Sequence, residues 1–220
     1  MMRPSVLGAT ALMVLAAAQP APVRGLTGIS GLARAYDAIF DARFAEVPRL
    51  VAEACPPAPA EVCKLLEADL VWWRIQLDPF DKSRDADFRA RAEQAITAAE
   101  TWTVREPQRA EAWFYLGGAY GARVQWEVLC GSRLAAARDG RRVKDALERA
   151  LALDPGLSDA YFGLGLYHYY ADVAPTVLKM LRWLFLLPGG DRQAGLDEML
   201  RARGTGALVR SEAEYQLHII

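Results

Sequence analysis

The chain carries a 48-residue repeat, and a chain with a repeat of that length folds as a stack of similar units. Pro59, Pro107 and Pro155 are evenly spaced, and six residues after each comes a large apolar residue: Leu65, Trp113 and Tyr161. Four residues further on are Asp69, Gly117 and Gly165, and three beyond those are Trp72, Tyr120 and His168. The two best copies read Trp113-x2-Leu116-Gly117-x2-Tyr120 and Tyr161-x2-Leu164-Gly165-x2-His168. Spacings of three and four place these side chains on one face of a helix. No stretch alternates apolar and polar residues in the manner of a strand. The expected fold class is therefore all-α, with each helix pair burying its apolar face against the next.

A bulky residue, a leucine, a small residue and a ring on one helix face resemble the tetratricopeptide (TPR) pattern. The resemblance covers about residues 28–220 and implies a TPR-like right-handed helical solenoid. The period is 14 residues longer than the usual TPR unit of about 34. The helix pairs should therefore be long. An N-terminal pair is expected at about 29–40 and 44–54. The next has helices at 65–77 and 85–104, with a break at Asp78-Pro79. In the middle repeat, helix A is expected over about 109–138, with a break at Asp139-Gly140, and helix B over 141–153. Gly117 and Gly165 should let neighbouring helices approach closely, since a Cβ there would hold the next backbone away.

Residues 1–18 read as a secretory signal peptide: Arg3 supplies a short positive end, Val6 to Ala18 is apolar, and Ala16-Ala17-Ala18 suits cleavage near Ala18. The apolar run is short for a transmembrane helix. The mature domain, residues 19–220, should then be exported, periplasmic or secreted. In an oxidising compartment Cys55 and Cys63, which bracket Pro56-Pro57-Ala58-Pro59, form a candidate disulfide across a helix–helix turn. Cys130 is expected to be a buried free thiol inside a helix. Cys55-x7-Cys63 has no partner pair or nearby histidine, so no metal site is expected.

Residues 172–196 depart most from the repeat. Pro175 suits the first position of a helix, and Pro188-Gly189-Gly190 ends it. Between them only Lys179 and Arg182 are charged, and Trp183, Leu184 and Leu187 form the apolar body of this insert. Such a helix should not stay solvated, and packing near Tyr169 and Tyr170 is expected. Asp191 reads as the N-cap of the helix that follows. The block Ala160 to His168, the insert, and Gly190-Asp191-Arg192-x2-Gly195-Leu196 are similar to exported bacterial TPR proteins of unassigned role. They are more distantly similar to a eukaryotic TPR family linked to inclusion-body and lipid handling. That resemblance implies an interaction scaffold and carries no catalytic residue over. A new helix A is expected to begin near Leu208. It stops on Ile219-Ile220 without a polar cap, so continuation past Ile220 or cover by another subunit is expected.

The net charge is -1, which leaves no basic face for nucleic acid. Neither histidine has ligand spacing, and no nucleophile elbow or phosphate loop is present. Gly117-Gly118-x2-Gly121 follows no strand and reads as close helix packing. The chain is accordingly expected to be neither an enzyme nor a cofactor binder. By the TPR resemblance, groove positions on helix A are Glu111, Phe114, Gly118, Gly121 and Ala122, then Asp159, Phe162, Leu166, Tyr169 and Tyr170. A clamp for a C-terminal carboxylate uses Lys, Arg and Asn at such places, and the chain has no Asn. Phe114, Phe162, Leu166, Tyr169 and Tyr170 instead suggest an apolar, aromatic groove. The expected function is a non-catalytic protein–protein interaction scaffold of the bacterial cell envelope, with an unidentified protein partner. The alternative is a carrier of an apolar ligand, or one working at a lipid or membrane surface, through that groove and the 175–187 helix.

Overall fold

The computed structural model describes residues 24–173 and 189–220. Among these residues the regular structure is helical, with no strand. The helices are α1 Ile29–Phe40, α2 Val47–Ala54, α3 Ala60–Leu77, α4 Asp85–Arg105, α5 Ala110–Leu129 and α6 Arg133–Leu153. They continue as α7 Ala160–Val173, α8 Arg192–Thr205 and α9 Arg210–Ile219. The 1–18 leader and the apolar insert with Trp183, Leu184 and Leu187 lie outside the described residues.

The repeat prolines stand where helices begin. Pro59 is the N-cap of α3, and Pro107 and Pro155 lie in the turns before α5 and α7. Proline biases the residue before it away from the helical region, so each preceding helix stops there. Helices pack as α1 on α2, α3 on α4, α5 on α6 and α7 on α8, and each pair touches the next.

The middle repeat corrects the expected boundary. Helix A ends at Leu129, and the turn is Cys130-Gly131-Ser132, with Gly131 in the left-handed region at φ 73°. Asp139-Gly140 does not break the chain but lies inside α6. The Asp139 carboxylate is buried there and accepts from Arg123 Nε at 2.6 Å and Arg142 Nη1 at 2.9 Å. Two guanidiniums thus hold in place a residue that would otherwise end a helix, and tertiary contact overrides local propensity. The same turn corrects Cys130, which caps the end of α5 and is exposed, not buried in a helix.

Glycines set how closely the helices meet. An added Cβ at Gly117 would stand 2.6 Å from Leu147 Cδ2, and one at Gly163 would stand 2.5 Å from Leu147 Cδ1. Leu147 of α6 therefore fills a space left by both α5 and α7. Between α7 and α8 the approach is backbone to backbone: a Cβ at Gly165 meets Gly195 O at 2.6 Å, and one at Gly195 meets Gly165 O at 2.6 Å. Asp191 caps α8 by accepting from Ala194 N at 3.0 Å.

The chain ends come together. Ser211 of α9 donates to Asp37 of α1 at 3.0 Å, and the Tyr36 hydroxyl donates to Glu212. Tyr215 packs on Trp73 and Phe40, with ring centroids 5.2 and 6.5 Å away. Within the chain, α9 is thus covered by α1 and α3. The segment before α1 crosses to the far side of the array. Gly25 N donates to Asp154, and Thr27 donates through N and Oγ1 to Glu111.

Cys55 and Cys63 are joined as a disulfide with Cα atoms 6.6 Å apart, tying the end of α2 to the first turn of α3. Replacing both by serine is expected to cost about 2–3 kcal/mol from the short closed loop, measured by denaturant unfolding. The glycine contacts make a paired prediction. Gly195→Ala is expected to lower stability by about 1–3 kcal/mol, because the atoms it meets are backbone and cannot step aside. Gly204→Ala, with nothing within 4 Å of the new Cβ, is expected to be neutral or stabilising by up to about 1 kcal/mol. Equal melting points for the two variants would contradict the close approach.

Candidate binding cavity

The helices form a partly open cavity of about 950 Å³ between α1, α3, α5, α6, α7 and α9. Small residues create it. Gly117, Gly118, Gly121 and Gly163 line it, with Ala122, Ala136 and Ala137. At Gly121 an added Cβ would meet nothing within 4 Å, so the absent side chain is open space. Leu65, Leu66, Val143, Leu147 and Leu166 supply most of the remaining wall, with aromatic rings from Trp72, Trp73, Phe114 and Phe162. A largely apolar, concave surface with a few converging polar groups is the usual form of a small-molecule site.

Of the expected groove residues, Phe114, Phe162, Leu166 and Tyr170 do line this cavity. Tyr169 does not: it lies against Gly195 of α8, with the Arg192 guanidinium over its ring at 5.6 Å. The next residue along a helix is turned by about 100°, which carries Tyr170 inward and Tyr169 toward the neighbouring helix. Glu111, expected on the groove, is fully buried and holds Thr27 and Arg109 instead. Asp159 is its counterpart 48 residues on, and accepts from the backbone N–H groups of Ala207, Leu208 and Val209 at 2.7–3.1 Å. His168 turns to α8, where its Nδ1 is 2.7 Å from Glu198.

The polar end of the cavity escaped the sequence reading. Tyr36 of α1, Asp69 of α3, Gln125 of α5 and Glu212 of α9 meet there. These residues lie far apart in sequence. The one signal was that Asp69 stands where the other repeats have glycine. Asp69 opens partly onto the cavity but is ringed by protein, and among the described residues its carboxyl has no hydrogen-bond partner. Burial, and then the nearby Glu212, push the Asp69 carboxyl well above the usual carboxylate range. Burial also pushes Glu212 up to about 7, against the hydrogen bonds from Tyr36 and Gln125, which lower it. Tyr36 is raised in turn, by burial first and then by Glu212. Tyr115 and Trp72 line the same cavity, each 2% exposed, and among the described residues neither the Tyr115 hydroxyl nor Trp72 Nε1 has a partner.

Among the described residues no His, Cys, Asp and Glu cluster could hold a metal ion, and no helix is long and apolar enough to cross a membrane. No family model matches the chain, and no match to it is found among the curated proteins or the solved structures.

The raised carboxyl gives a pH prediction. Glu212 titrates near 7 when folded and near 4.5 when unfolded, so between these values the folded state binds more protons. Stability from this group is therefore full on the acid side and falls as pH rises through that window, by up to about 3 kcal/mol. Glu212→Gln keeps an acceptor for Tyr36 but cannot ionise. Melting followed from pH 5 to pH 8 is expected to show the wild type losing stability relative to the variant. Parallel curves would refute the buried, protonated state.

Proposed function

We propose that the chain is a non-catalytic binding protein of the bacterial cell envelope, a TPR-like array of long helix pairs whose cavity receives the apolar part of a guest. The observation that carries this is the cavity itself. About 950 Å³ of space is walled by leucines, rings and bare glycines, and bounded where α9 meets α1. Water in such a space makes few hydrogen bonds, so an apolar guest gains its own transfer free energy on entry, at roughly 25 cal/mol per Å² removed from water.

A protein partner is the second reading, and a different observation favours it. The helices already grip two non-helical pieces of their own chain, residues 25–27 and 207–209, through buried carboxylates in the turns or at helix starts. A scaffold for a partner's segment could use the same means.

A ten-carbon alcohol carrying bromine at its far end tests the first reading, because bromine quenches tryptophan on contact and Trp72 and Trp73 line the cavity. Saturable quenching is expected. Gly121→Phe fills the open space at that position and should weaken the probe at least tenfold while melting no lower than the wild type. Quenching that is unchanged in this variant would move the guest out of the cavity. Mass spectrometry of an organic extract of the purified protein would then identify any natural guest.

A further inference from the structure

We infer that the guest is a cationic amphiphile: an ammonium head held at Asp69 and Glu212, with its apolar tail lying along the glycine-lined wall of α5 and α7. This rests on the proposed apolar-guest function and specifies the chemistry of the guest.

Charge complementarity is the first support. The charged residues lining the cavity are Asp69, Asp159 and Glu212 against Arg133 alone. Asp159 is fully engaged by three backbone N–H groups, so it is committed to positioning α9. Asp69 and Glu212 remain. Glu212 has Tyr36 and Gln125 as donors, yet a carboxylate offers about four acceptor sites. Asp69 has no donor among the described residues. Two neighbouring acids at a largely apolar wall cannot both ionise cheaply, and a bound cation between them removes that cost.

The surroundings of the acids point the same way. Tyr36, Trp72 and Trp73 also line the cavity, the two tryptophans three and four residues on from Asp69 along α3, and rings attract an ammonium through their quadrupole. An anionic head would meet two acids here, and a purely apolar guest would leave Asp69 unpaired. Beyond the polar end, Gly117, Gly121, Leu147 and Phe162 offer room and apolar contact for a tail.

Binding of a cation should also draw protons off the acids. The groups facing Glu212 are Tyr36 from α1, Asp69 from α3 and Gln125 from α5, with Asp159 ahead of α7 also acting on Tyr36. Each acid must be charged to hold an ammonium, so affinity should rise from pH 5.5 to pH 8, a range over which an alkylammonium stays protonated.

The test compares three bromine-tipped ten-carbon probes on the intact protein: the alkylammonium, the alcohol and the carboxylate, all read by tryptophan quenching. The ammonium is expected to bind at least tenfold tighter than the alcohol at pH 8, with the carboxylate weakest. That preference should shrink at pH 5.5 while the alcohol stays constant. Asp69→Asn is expected to remove most of the preference and to leave the alcohol unchanged. Glu212→Gln should do so in part, and serves if the first variant does not fold. Equal binding of ammonium and alcohol overturns the inference but keeps the apolar-guest function, and so does tightest binding of the carboxylate. Binding of none of the three overturns both.

Discussion

One leucine sets the spacing on which the rest of the array depends. Leu147 projects from α6 into the gap left by Gly117 on α5 and Gly163 on α7, where no Cβ could stand. Tight packing is worth most where side chains interlock without voids. Here the interlocking residues all border the cavity. Missing side chains let the helices draw together there, and the same small residues line the cavity.

Buried carboxylates do most of the joining that the apolar contacts cannot do alone. Glu111 and Asp159 occupy equivalent places in successive repeats, and each accepts several hydrogen bonds from a non-helical segment. A carboxylate bonded by backbone N–H groups tolerates burial, because its lone pairs are matched. Glu212 is matched only by side chains, Tyr36 and Gln125, and the Asp69 carboxyl has no donor among the described residues.

Much of the architecture was legible in the sequence, since the evidence for it is local. The prolines preceded α5 and α7, and Asp191 marked α8, while α3 begins at Ala60 and not at the expected 65. A position count taken from the TPR resemblance placed Phe114, Phe162, Leu166 and Tyr170 inward. What misled was also local. Asp139-Gly140 looked like a helix break because Arg123, which with the nearby Arg142 stabilises Asp139, lies 16 residues away on α5. The true turn at Gly131 was hidden within a run of helix-compatible residues. Tyr169 was placed inward by a position count, when one residue turns a side chain onto the next helix. The meeting of Tyr36, Asp69 and Glu212 left one local trace, an acid where other repeats have glycine, because the three come from α1, α3 and α9 and meet only in the folded chain.

The seam between α1 and α9 also has a kinetic consequence. Tyr36 and Glu212 are 176 residues apart, so the chain must bear nearly its largest loop-closure cost before this contact forms. Helix hairpins closed by short turns form earlier. The last contact made is commonly the first to open, at a free energy well below global unfolding. In slow hydrogen exchange, α9 should therefore part from α1 while the inner pairs stay folded. A doorway into the cavity would then open and shut without the molecule coming apart.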